Sequence, residues 1–200
     1  MSILIFSSVT IVVLILFSGC KKIDTDNGSL VNDIDGNTYH IVTIETQDWM
    51  KENLKTKKYR NGDPIYNVYD SVDWNIVSST VFGEYCSFEN NPENEDIYGF
   101  LYNWYAVNDS RNIAPAGWHV ATDEDWKTLV NYLGGDSISG GKLKETGTKH
   151  WYSPNTGSTN ETGFTALPGG YIFSNGEFRD LRSYGSWWSS SEYSSDFAWR

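Results

Sequence analysis

The sequence predicts an α+β domain with two short helices and many short antiparallel strands. Three observations carry that prediction. Thr122 to Gly134 has the caps and apolar spacing of a helix. Elsewhere, short runs of β-branched and aromatic residues are broken by Asp-Gly and Asn-Gly turns. The patterns do not alternate strand with helix in the way parallel βαβ units require.

At the N-terminus, residues 3–17 are apolar apart from Ser7, Ser8 and Thr10, and no charge precedes Lys21. A membrane span needs about 20 apolar residues. The shorter run fits the hydrophobic region of a signal peptide better than a plain membrane helix. Phe17-Ser18-Gly19-Cys20 resembles a lipobox, with Phe17 where Leu is usual and no Lys or Arg ahead of the run. Small side chains at Ser18 and Gly19 open the backbone to a peptidase, and Cys20 is the expected lipid attachment point. Residues 1–20 therefore read as a lipoprotein signal peptide, 21–32 as a polar tether and 33–200 as one domain. The expected setting is the bacterial cell envelope, at the outer membrane in preference to the inner, with the membrane reached through the lipid.

Within the domain, Asp35-Gly36 is a hairpin-turn signal. Tyr39, Ile41 and Thr43 alternate with His40, Val42 and Ile44 as in a strand. Asn61-Gly62-Asp63-Pro64 marks a second turn, and residues 89–96 read as an acidic loop. Leu101, Trp104 and Tyr105 share a face if residues 101–107 form a short helix. The clearer helix starts at the N-cap Thr122, with Asp125 as capping-box partner. Trp126, Leu129, Val130 and Leu133 then form one apolar stripe, which predicts a core role for Trp126, and Gly134 suits the C-cap. Residues 170–173 and 177–181 flank Ser174-Asn175-Gly176 as a hairpin, and a further strand is expected over 186–191.

Nine Trp, 13 Tyr and nine Phe predict a Trp/Tyr core. Residues 1–20 carry no charged side chain, so the net charge of -11 lies wholly in the chain that follows. Such a surface repels phosphates, and a nucleic-acid partner is not expected. With Cys20 acylated, Cys86 is left alone. It is then a free thiol, half of an intermolecular bond, or paired outside this sequence.

By this point long motifs have accumulated in order: DIDGNTY (33–39), WMKENLKT (49–56), YGFLYNWYAVND (98–109) and APAGWHVATDEDWKTL (114–129). GGKLKETGTKHW (140–151), NTGSTNETGFTALPGGY (155–171) and YGSWWSSSEYSS (184–195) follow. With these the chain resembles the Fibrobacter succinogenes major paralogous domain family, found in lipoproteins of Bacteroidetes and Fibrobacteres. The resemblance implies a C-type-lectin-like fold and no specific activity. It also implies a further strand containing Cys, which with the aromatic end Phe197-Ala198-Trp199-Arg200 suggests a domain truncated at its C-terminus.

Catalytic patterns are absent from the sequence. His40, His119 and His150 form no zinc-type pair, and His119 reads as a core histidine. Gly140-Gly141-Lys142 is followed by Leu143, not the Ser or Thr of a phosphate loop, and no nucleophile elbow surrounds Ser189. Asp123, Glu124 and Asp125 suit a first helical turn better than paired catalytic carboxylates. A formylglycine-generating activity needs two active-site cysteines. No enzyme activity, cofactor or firm metal site is expected. Glu93, Glu95 and Asp96 are weak calcium candidates without EF-hand spacing. Ser153-Pro154-Asn155 lacks the carboxylate of the Glu-Pro-Asn sugar motif.

The remaining candidates are aromatic and amide side chains. Trp187 and Trp188 occupy adjacent positions, so a strand there sends one indole inward and the other outward or into a groove. Tyr193, Asn155 and Asn160 supply a ring and amides of the kind sugar sites use. The sequence thus points to a lipid-anchored binding or adhesion module for a glycan or an envelope protein. The alternative is a structural envelope domain without a ligand.

Overall fold

The computed structural model describes residues 8–11, 14–16, 29–69, 82–173, 175–194 and 197–198. Side chains of residues 8–11, 14–16, 193–194 and 197–198 lie outside that description, as does the whole of Cys20. Strands β1 (Ser8–Ile11), β2 (Leu14–Leu16), β3 (Leu30–Asn32), β4 (Thr38–Ile44) and β5 (Gln47–Met50) come first. β6 (Tyr66–Asn67), β7 (Glu84–Cys86), helix α1 (Pro92–Tyr98), β8 (Leu101–Tyr102) and α2 (Trp104–Val107) follow. Next are β9 (Trp118–Val120), α3 (Asp123–Tyr132) and α4 (Asp136–Leu143), then β10 (Tyr171–Phe173), β11 (Phe178–Arg179), β12 (Glu192–Ser194) and β13 (Phe197–Ala198). This is a small α+β domain.

One sheet runs β11-β10-β1-β8-β7-β6, a second runs β3-β4-β5-β2-β9, and β12 pairs with β13. Among the described strands every pairing is antiparallel except β6 with β7. β1 and β2 come from the apolar run that reads as a leader, and each is interior to its sheet. β3 pairs with β4 from Leu30 onward, so the ladder starts inside the stretch expected to be a tether. Between them the Asp33 carboxylate accepts from the Asp35 and Asn37 amides and from the Tyr39 hydroxyl, which fixes the turn.

Three predicted elements take a different form. Residues 89–96 are not a loop: a 3-10 turn over Phe88–Asn90 leads into α1, with Asn91 as N-cap and Pro92 in the first turn. The helix expected over 101–107 begins later, because Leu101 and Tyr102 pair with Cys86 and Tyr85 in the sheet. Asn103 then caps α2 through its side-chain oxygen. The stretch Ser186–Ser191 belongs to no named strand. It is stitched to the β9–α3 junction instead: Ser190 N–H donates to Ala121 O at 2.7 Å and Ser190 Oγ to Val120 O at 2.9 Å. The Asp123 amide donates to Ser191 Oγ at 3.0 Å.

The core is aromatic. Tyr39, Trp49, Tyr59, Phe100, Tyr102 and Phe164 are essentially fully buried. Leu129 and Leu133 of the α3 stripe pack with Trp49, Ala121 and Phe164. Asp125 completes the capping box and also accepts from His119 Nε2 at 3.1 Å. Burial raises its pKa, but the hydrogen bonds from Thr122 and His119 outweigh that and hold it below the usual carboxylate value.

Candidate functional site

A groove of about 850 Å³ opens between the α3–α4 corner and the segment from β10 to Ser189. That volume lies within the range of small-molecule sites. One wall is helical: Trp126 and Val130 from α3, then Asp136, Ser139 and Gly140 from α4. The opposite wall carries Tyr171, Phe173 and Tyr184, and Trp187 also lines the space.

Trp126 is half-buried and held on two sides. Its ring centroid lies 4.7 Å from that of Trp49, and its indole N–H donates to Trp188 O at 3.2 Å. The apolar stripe predicts a core role, but at the end of the helix facing the groove the same ring also forms wall. Trp187 is half-buried too. Its indole N–H donates to Asn53 Oδ1 at 3.1 Å, and its ring meets Phe164 edge-on at 6.4 Å. Gly185 makes room for it, since a Cβ there would come within 2.6 Å of the Trp187 ring. Trp188 turns the other way, 5% exposed, with its N–H on Tyr102 O at 2.8 Å.

Tyr171 links the opposite wall, with Phe173 at 5.1 Å and Tyr184 at 6.1 Å, both edge-on. Burial and the neighbouring Asp180 raise the Tyr171 phenol above its ordinary pKa. Tyr184 is 55% exposed and stands at the rim. Aromatic faces with an open rim suit ligands that have an apolar face and a polar edge.

The other sequence candidates lie elsewhere. The Asn155 amide donates to Glu145 O and Gly147 O, and Asn160 exchanges hydrogen bonds with Thr165, so both hold their own loop together. Neither lines the groove. The Tyr193 side chain is outside the described residues. Glu95 and Asp96 ride on α1 and pair with Lys57 at 2.9 Å and Lys55 at 3.7 Å. Glu93 sits in the first turn of α1. Among the described residues no group of three or more His, Cys, Asp or Glu is placed to hold a metal. Cys86 is free and buried beside Val68, Phe88 and Ile172, and burial pushes its thiol pKa far up. Among the described residues no helix is long and apolar enough to cross a membrane.

Trp126, Tyr171, Phe173 and Tyr184 went unnoticed as site residues in the sequence. The aromatic content was a signal, but only tertiary packing assigns a ring to a wall.

Fold and site together define a small α+β domain with an open aromatic groove beside the capping-box helix α3. The chain belongs to the Fibrobacter succinogenes major domain family, matched over residues 42–200. No curated protein and no solved structure matches it.

Proposed function

We propose that this protein is a lipid-anchored component of the bacterial cell envelope whose domain binds a saccharide in the aromatic groove. The observation that carries the reading is the convergence of Trp126, Trp187, Tyr171 and Tyr184 on one open space. Half-buried rings fixed by indole hydrogen bonds stack on a sugar face without losing much side-chain freedom on binding. The lipobox-like Ser18-Gly19-Cys20 supports the anchor, and the family's resemblance to C-type-lectin-like domains agrees with a binding role. Binding, not turnover, is the proposed activity.

A second reading, a structural domain without a ligand, is favoured by Asn155 and Asn160, whose amides are engaged inside their own loop. A glycan array probed with the wild-type chain and with Tyr184→Ala separates the two. The binding reading expects saccharide spots that fade in the variant. A blank array for a folded protein supports the structural domain. Metabolic labelling with a palmitate analogue tests the anchor: label on the wild type and none on Cys20→Ala is expected, and equal labelling refutes it.

A further inference from the structure

The groove has a charge and a polar group that bear on which saccharide it takes. Ser139 is 5% exposed and lines the groove, and its hydroxyl has no hydrogen-bond partner among the described residues. The hydroxyl is open to the groove, where water or an entering ligand can bond it. Three carboxylates, Asp123, Asp136 and Asp180, also line it, and no Lys, Arg or His does. Asp123 is neutralised by Lys127. Asp136 and Asp180 have no salt bridge among the described residues, and Asp136 opens α4, where the helix dipole favours its charge. Nearby cations are committed elsewhere, Arg179 of β11 to Glu177 at 2.7 Å and Lys142 of α4 to Glu161 at 2.8 Å.

We propose that the groove selects saccharides carrying free ammonium groups, such as a de-N-acetylated hexosamine chain, and rejects uronates. The inference rests on the saccharide reading above and adds the ligand's charge. An ammonium is attracted both by the carboxylates and by the faces of Trp126, Trp187 and Tyr184. A sugar carboxylate is repelled by both, on a chain whose net charge is already -11. Ser139 Oγ can accept from an ammonium or from a hydroxyl, so it can anchor either sugar and adds to the ammonium preference only through the stronger charge-assisted bond. Asp136 and Asp180 are exposed, and solvent screening limits their effect to several-fold.

The test titrates the full chain, followed by tryptophan fluorescence, with tetramers of glucosamine, N-acetylglucosamine and galacturonic acid. At about pH 6 the sugar amine is protonated and the carboxylates are ionised. The expected order is glucosamine about three- to tenfold tighter than N-acetylglucosamine, with galacturonate weakest. The gap should shrink between about 20 mM and about 500 mM salt. Combining Asp136→Asn with Asp180→Asn should narrow the gap, the aromatic faces keeping the remainder. An unchanged melting temperature certifies the fold of the variant. Equal binding of all three, a preference for galacturonate, or a gap that neither the substitutions nor high salt narrows overturns the charge selection while the saccharide reading stands. Binding of none overturns the charge selection, and a blank array beside it overturns the saccharide reading as well.

Discussion

Glu84 is a buried carboxyl whose titration bears on stability. It is 2% exposed at the start of β7, and among the described residues its hydrogen bond comes from Asn103 Nδ2 at 3.2 Å. Burial, only partly offset by that bond, pushes its pKa from 4.5 up to about 7. The folded state therefore holds a proton that the unfolded state has released. Glu84 takes nothing from stability below about pH 4.5, and stability falls as pH rises from there through about 7. Glu84→Gln removes the titration and keeps an acceptor for Asn103. It should raise the melting temperature at pH 8 by the equivalent of about 1–3 kcal/mol and change little at pH 5. Thermal melts across that range check it, and a parallel shift of the two proteins with pH would contradict it. Cys86, buried on the same strand with a raised pKa, should resist iodoacetamide in the native chain and react on denaturation. Rapid native labelling would show that the thiol is accessible.

The elements differ in how far local sequence specifies them. α3 is legible because the Thr122–Asp125 box and the Leu129–Leu133 stripe agree with each other. The hairpin of β10 and β11 is legible from Asn175-Gly176. α1 was also written in the chain, as Asn91 followed by Pro92 and Glu93, but the acidic composition of the stretch masked it. α4 was not, because Asp-Ser-Ile-Ser-Gly-Gly-Lys-Leu is a poor helix former. Its two glycines have a tertiary use at Gly141, where a Cβ would lie 2.3 Å from Gly157 O and the Gly141 carbonyl accepts from Thr159 N–H. Propensity gives way there to close approach of two backbones. Gly141→Ala gains helix propensity of about 1 kcal/mol yet should destabilise, by about 1–3 kcal/mol net, since the loop must move. Gly140→Ala on the open side of the same helix meets nothing within 4 Å and should stabilise. Chemical denaturation of the two variants decides, and equal effects would contradict the contact. The groove was illegible for a related reason: its walls lie about fifty residues apart in sequence.

At the scale of the whole molecule, the anchor and the N-terminal strands make opposite demands, since cleavage ahead of Cys20 removes β1 and β2. β1 joins β10 to β8 and β2 joins β5 to β9, so a chain that starts at Cys20 leaves four strand edges without those partners. Such a chain, tested alone, should melt at least about 10 °C below the full chain, on the scale of several kcal/mol for a domain of this size. Equal melting temperatures by circular dichroism would show that the sheets hold without β1 and β2. The groove is built from other parts, α3, α4 and the segment from β10 to Ser189, and its rim residue Tyr184 is exposed enough to change without disturbing the core. Titration calorimetry of the tightest array saccharide against wild type and Tyr184→Ala therefore reads the groove directly. About tenfold weaker binding with an unchanged melting temperature is the predicted result. Equal affinity in the two proteins would contradict the assignment of the groove as the binding site.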